Sequence, residues 1–203
     1  MKRASLSLLF LVALLGCSSN SVKEPSSKPQ PPATELSTGR IALQKLIPPA
    51  RFWSPDALPM RLESKPTQES NGQDGKSALW KATFASPNLS KAEVFTWSGL
   101  SDPDIPRGVD HAAAEPFDAS NRSTQPFQLG FLKVDTDKAF EVAQAHGGKQ
   151  LLVKDPNTRV RYVLDWNPQA NQLKWRVAYG GTDASPKLSV IVNATTAEFV
   201  HKE

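Results

Sequence analysis

The sequence predicts an α+β fold in which two tandem units each pack an amphipathic helix on an antiparallel sheet, following a signal peptide and a disordered linker. Three observations predict it. A short apolar run near the amino terminus ends at the single cysteine, two carboxy-terminal segments alternate apolar and polar residues, and an earlier stretch repeats that alternation.

The amino-terminal elements come first. Lys2 and Arg3 supply a positive start, and Leu6 to Leu15 form an apolar run interrupted by Ser7. A membrane-spanning helix needs about 20 apolar residues and a signal-peptide core roughly 7 to 15, so the run reads as a removable signal. Leu14-Leu15-Gly16-Cys17 has the form of a lipobox, whose cysteine thiolate accepts diacylglycerol before cleavage. The expectation is a signal peptide over 1–16 and a lipidated Cys17 bearing acyl chains such as palmitate. An ordinary signal with an incidental cysteine is the competing reading, but position, charge and lipobox agree on the lipoprotein. With Cys17 the only cysteine, no disulfide is available, and stability must come from an ordinary core. Ser18 stands where an aspartate would retain a lipoprotein at the inner membrane, which favours the periplasmic side of the outer membrane.

Charge narrows the partners. The chain carries 24 Lys and Arg against 20 Asp and Glu, and loss of Lys2 and Arg3 with the signal leaves 22 against 20. No run of basic residues marks a nucleic-acid face, and export removes most such partners. Residues 17–37 are rich in Ser, Pro, Lys and Glu, the composition of a solvated spacer that cannot build a core.

The remainder, Thr38 to Glu203, is long enough for a substantial core. Asp135-Thr136-Asp137 precede Ala139, Phe140, Val142 and Ala143, and Gly147-Gly148 follow, which places acid at the positive end of a helix and a left-handed stop at the other. Val160, Tyr162, Leu164 and Trp166 then alternate with Arg161, Val163 and Asp165, and Leu173, Trp175, Val177 and Tyr179 with Lys174, Arg176 and Ala178, giving two antiparallel strands around the turn Asn167 to Asn171. Leu188 to Val192 and Glu198 to His201 complete the meander.

An earlier stretch follows the same plan. Trp80 and Phe84 lie 95 residues before Trp175 and Tyr179, and Val94 lies 96 before Val190. Amphipathic material, Gly39 to Ala50 and Pro55 to Leu62, precedes it. The pattern reads as a diverged duplication with units 38–132 and 133–203, although two unrelated hairpins would share a period of two. Ser101 to Gln128 shows no sustained period and reads as a long surface loop, a place to look for a partner surface.

Catalytic chemistry is sought and not found. His111, His146 and His201 are the only imidazoles, none lies in a recognisable motif, and there is no nucleophile elbow or phosphate loop. The chain is expected not to be an enzyme and to need no cofactor. His111 and Glu115 are spaced for one helix face near Asp102, Asp104 and Asp110, but Pro103 and Pro106 interrupt a calcium loop and zinc lacks ligands, so no metal is expected. His146 reads as a partner for the helix dipole. Among Trp53, Trp80, Trp97, Trp166 and Trp175, most fill space between sheet and helix; Trp97 and Trp166 are the candidates for a partner-facing surface.

The carboxy-terminal stretch, about Val134 to Glu203, resembles a PepSY-like domain. The resemblance is carried by Asp135-Thr-Asp-Lys-Ala-Phe140, Trp175-Arg-Val-Ala-Tyr179 and Leu188-Ser-Val-Ile-Val-Asn-Ala-Thr-Thr-Ala-Glu-Phe-Val200. Asn193 stands where the family has aspartate, and Ala197 where it has glycine. Two such units in series are similar in architecture to beta-lactamase inhibitory proteins. The resemblance implies a noncatalytic exported module that modulates a peptidase or binds a small partner, and it offers no catalytic residue. The expected function is a lipid-anchored protein-binding or regulatory module of the cell envelope, its partner an envelope protein; a small-molecule or envelope-polymer binder, with an aromatic pocket between the repeats, is the alternative.

Overall fold

A computed structural model describes residues 32–102, 104–121 and 125–203. The segments read as export signal and spacer lie outside the described residues up to residue 31, and Cys17 with them. No helix among the described residues is long and apolar enough to cross a membrane.

Helix α1 (Gly39–Trp53) opens the fold, preceded by the short strand β1 (Ser37–Thr38). Its buried residues Ala42, Leu43, Leu46 and Ala50 recur at three- and four-residue spacing, so one stripe meets the sheet. The chain continues through β2 (Leu58–Ser64), β3 (Lys76–Ser77), β4 (Leu79–Ser86) and β5 (Lys91–Ser98), then β6 (Gly108–His111) and β7 (Glu115–Pro116). The second half begins with α2 (Thr136–Ala143) and α3 (Lys149–Lys154), followed by β8 (Val160–Asn167), β9 (Gln172–Tyr179), β10 (Leu188–Asn193) and β11 (Phe199–Lys202). The left-handed stop read after α2 is Gly147, at φ +110°; the short α3 beyond it was not foreseen.

All the large strands join one nine-stranded antiparallel sheet, in the order β11-β10-β9-β8-β2-β4-β5-β6, with β7 also on β5. The halves meet edge to edge where β2 pairs with β8, Leu62 opposite Leu164. Alternation behaves as the sequence predicts. Tyr162, Leu164, Trp175, Val177 and Tyr179 point to the helix side and are fully buried. Trp80, Phe84 and Phe95 do the same in the first half, each at most 1% exposed.

Of the amphipathic stretch Pro55 to Leu62, most enters β2, where a register shift between Pro59 and Arg61 hides the strand period. Two readings are corrected. The stretch from Ser101 to Gln128 is not wholly loop, since β6 and β7 pair with β5; β6 lies at the sheet edge with its side chains largely solvated, so it lacks the apolar alternation that marks a half-buried strand. The folded part also takes in the end of the spacer, because Glu35 N–H donates to Gly99 O at 2.8 Å and Ser37 is buried in β1.

The two helix starts touch. Asp135 Oδ1 accepts from Thr136 N–H at 2.7 Å, capping α2, and from Arg40 N–H at 2.8 Å, capping α1. Its Oδ2 accepts from the Thr38 hydroxyl at 2.7 Å, and Gly39 N–H donates to Thr136 Oγ1 at 2.9 Å. So close a meeting requires glycine at 39, where a Cβ would lie 2.6 Å from the Trp175 ring and 2.9 Å from Thr136 Cγ2.

The β10–β11 turn shows how the departures at 193 and 197 are accommodated. Asn193 Oδ1 accepts from the N–H groups of Thr195 and Thr196 at 2.8 and 3.1 Å, so asparagine performs the turn chemistry. Ala197 sits at φ +66°. A side chain in that region costs about 1–2 kcal/mol, part of which glycine returns as backbone entropy. Ala197→Gly is therefore expected to raise stability by about 0.5–1 kcal/mol, read as a higher urea midpoint; an unchanged midpoint would show that the turn bears no strain.

Candidate functional site

With the helices gathered on one side, the other face of the sheet carries the alternate residues of each strand. Along the central row Arg176, Val163, Glu63, Lys81 and Thr96 lie opposite one another in register. The adjacent row runs through Lys174, Asp165, Arg61, Thr83 and Val94. Ion pairs lace the two: Arg61 reaches Glu63 at 3.2 Å and Asp165 at 3.4 Å, Lys65 reaches Glu63 at 2.6 Å, Lys174 reaches Asp165 at 3.7 Å, and Arg176 reaches Glu203 at 3.2 Å. Asp165 and Lys174 are both largely withdrawn from solvent, with 25% and 14% of their side chains exposed. Burial raises the Asp165 carboxyl above the ordinary aspartate range, outweighing the attraction of Lys174 and Arg61. At one corner Arg161, 8% exposed, donates to the carbonyls of Gly180 and Thr182 and pairs with Asp183, pinning the loop that follows β9.

The two tryptophans singled out from sequence part company. Trp97 is 4% exposed, held in the core cluster under Lys45, whose ammonium sits 4.2 Å from the ring centroid. It is not partner-facing, because α1 and the segment around Glu35 cover that end of β5, something alternation on β5 alone could not show. Trp166 is half-buried at the end of β8, its ring 5.1 Å from that of Phe131, and it borders two hollows at the surface.

The histidines are dispersed. His111 closes β6, so it and Glu115 share no helix face; its Nδ1 lies 2.6 Å from the buried carboxylate of Glu93 and its ring stacks on Phe95. His146 lies at the break after α2 with its ring stacked 3.8 Å from that of Phe199, a packing role beyond the dipole contact read from sequence. His201 lies 3.5 Å from Glu203. Among the described residues no group of three His, Cys, Asp or Glu side chains is arranged to hold a metal ion. The tyrosine hydroxyls are also occupied: Tyr162 donates to Gly72 O at 2.6 Å, Tyr179 accepts from Gln144 at 2.8 Å, and burial pushes both phenols up.

Asp56, which sequence reading passed over, organises the far end of α1. Its Oδ1 accepts from the hydroxyls of Ser54 at 2.6 Å and Ser86 at 2.7 Å, and its Oδ2 from Asn88 N–H at 2.9 Å. These bonds favour the ionised form and hold the carboxyl down at about 2. Because folding lowers this pKa, the contribution is fully present above the ordinary aspartate range and is lost as pH falls through about 2. A carbon-detected NMR titration is expected to place the Asp56 midpoint well below the ordinary aspartate range, and Ser86→Ala to move it back upward.

No family model and no curated protein matches the chain. A solved structure from Clostridium difficile 630, carrying the description "putative lipoprotein", shares the fold: it matches over 80% of this chain and 91% of its own, at a TM-score of 0.53 and 11% identity. The PepSY-like resemblance rests on the residues of the carboxy-terminal stretch.

Proposed function

We propose that this chain is an exported lipoprotein, held at the periplasmic side of a bacterial membrane, the outer one in preference, by acyl chains on Cys17. Its folded part binds an envelope partner without catalysing a reaction. The observation that carries the binding reading is the sheet face free of helices, whose Arg61, Glu63, Asp165, Lys174 and Arg176 present polar groups from both halves on rigid strands. Rigid strands hold such groups in place at little entropic cost, which is what recognition by shape and polar edges requires. The lipobox residues and the description of the structural neighbour support the anchor. A peptidase is the first partner to test, since that is what the PepSY-like resemblance implies.

The test uses the full chain in its native membrane. Cys17→Ala is expected to abolish acyl mass and release the protein from the membrane fraction. A photo-crosslinking residue at Val163 or Thr96, on the open face, is expected to trap one protein partner, and the same residue at Gln44, on α1, to trap none. Equal capture from both faces, or an acyl-free native protein, overturns the proposal.

A further inference from the structure

We infer that the groove at the seam of the two halves is a binding site for a neutral oligosaccharide, with acetamido-bearing sugars preferred. The inference rests on the proposed export, which places the site among envelope polymers.

The groove consists of two adjoining hollows, about 350 and 270 Å³, that share Trp166 and Gln125. The first draws Met60 and Arg61 from β2, Thr83 from β4, Asp165 from β8 and Lys174 from β9, so neither half could form it alone. The second adds Phe127, Gln128, Phe131 and Asn171. Two compartments on either side of one indole suit an extended ligand built of repeated units better than a single compact molecule.

The chemistry of the lining selects the class. A ligand that was strongly anionic would meet the carboxylate of Asp165, and a strongly cationic one would meet Arg61 and Lys174. Arg61 and Lys174 both pair with Asp165, and Arg61 also with Glu63 just outside the lining, so the two cations are matched by two carboxylates only when Glu63 is counted. Around this floor stand the carboxamides of Gln125, Gln128, Gln169 and Asn171, none of which makes a side-chain hydrogen bond to another described residue. The indole N–H of Trp166, like those of Trp53 and Trp97, has no acceptor among the described residues, whereas those of Trp80 and Trp175 donate to backbone carbonyls. Planar amides that both donate and accept, beside an aromatic face, match hydroxyl and acetamido groups on one side of a sugar ring and its C–H bonds on the other.

The probe is chitotetraose, titrated into the full-length protein while the five indole N–H resonances are followed by NMR. The Trp166 signal, assigned through Trp166→Phe, is expected to shift saturably while those of Trp80 and Trp175 stay in place. Trp166→Ala is expected to weaken binding about tenfold or more, the loss of an aromatic anchor. Gln125→Ala with Gln169→Ala, which break no protein hydrogen bond, should weaken it severalfold with an unchanged melting temperature. No shift up to millimolar sugar, or a shift spread over all five indoles, overturns the inference. A neutral tetrapeptide that moves Trp166 where the sugar does not would assign the groove to a peptide and also overturn it. Partner capture at Val163 or Thr96 is read separately, so failure of capture and failure of sugar binding are distinguishable.

Discussion

Asp135→Ala is expected to lower stability by about 2–4 kcal/mol, roughly twice what one helix cap contributes. The reason is that a single carboxylate serves two helices. It closes the first turn of α2 through Thr136 N–H and the first turn of α1 through Arg40 N–H, and it also accepts from the Thr38 hydroxyl. With only 11% of its side chain exposed, water replaces few of these bonds when it is removed. For a domain of this size the loss corresponds to about 5–15 °C in melting temperature. Asp135→Asn keeps one acceptor oxygen and should retain much of the stability, while Asp137→Ala, two residues along and exposed, should change little. Equal effects at 135 and 137 would mean that the junction of the helix starts is not what holds them.

That junction also marks the limit of what the sequence discloses. Asp135 is legible as the cap of its own helix, because the residues it serves follow it directly. Its service to Arg40 is not, since nothing local announces a donor 95 residues away. The same division holds for the sheet. The pair β8 and β9 is readable from alternation because one face of each is buried against helices, and Trp80 and Trp175 declare their shared role by their neighbours. The pairing of β2 with β8 leaves no such mark, and Pro59 with its adjacent register shift further hides β2. The groove follows from that seam, so its residues could not be gathered beforehand. Trp166 was within reach because it ends an alternating strand, where the partnering of one face lapses; Trp97 looked equivalent and is not, because its cover comes from α1.

Trp80→Ala and Trp175→Ala are each expected to cost about 3–5 kcal/mol, the range for emptying a fully buried aromatic site. Neither side chain is exposed at all, and each indole donates to the carbonyl two residues before a helix begins, Ser37 O at 2.9 Å and Val134 O at 2.8 Å. Truncation therefore removes both core volume and the tie between sheet and helix start, and strands a buried acceptor. The two sites lie in different halves, so the pair also measures how far the halves fold as one. Residues of both contribute to a continuous apolar cluster, and β2 and β8 share a ladder at the centre of the sheet. Each variant should accordingly lower the midpoint of a single transition, with helix and sheet signals lost together in urea. If instead Trp80→Ala melted the first half while the indole resonance of Trp175 persisted, the seam would be a contact between two separately stable units, and the groove across it would open at a fraction of the cost of unfolding.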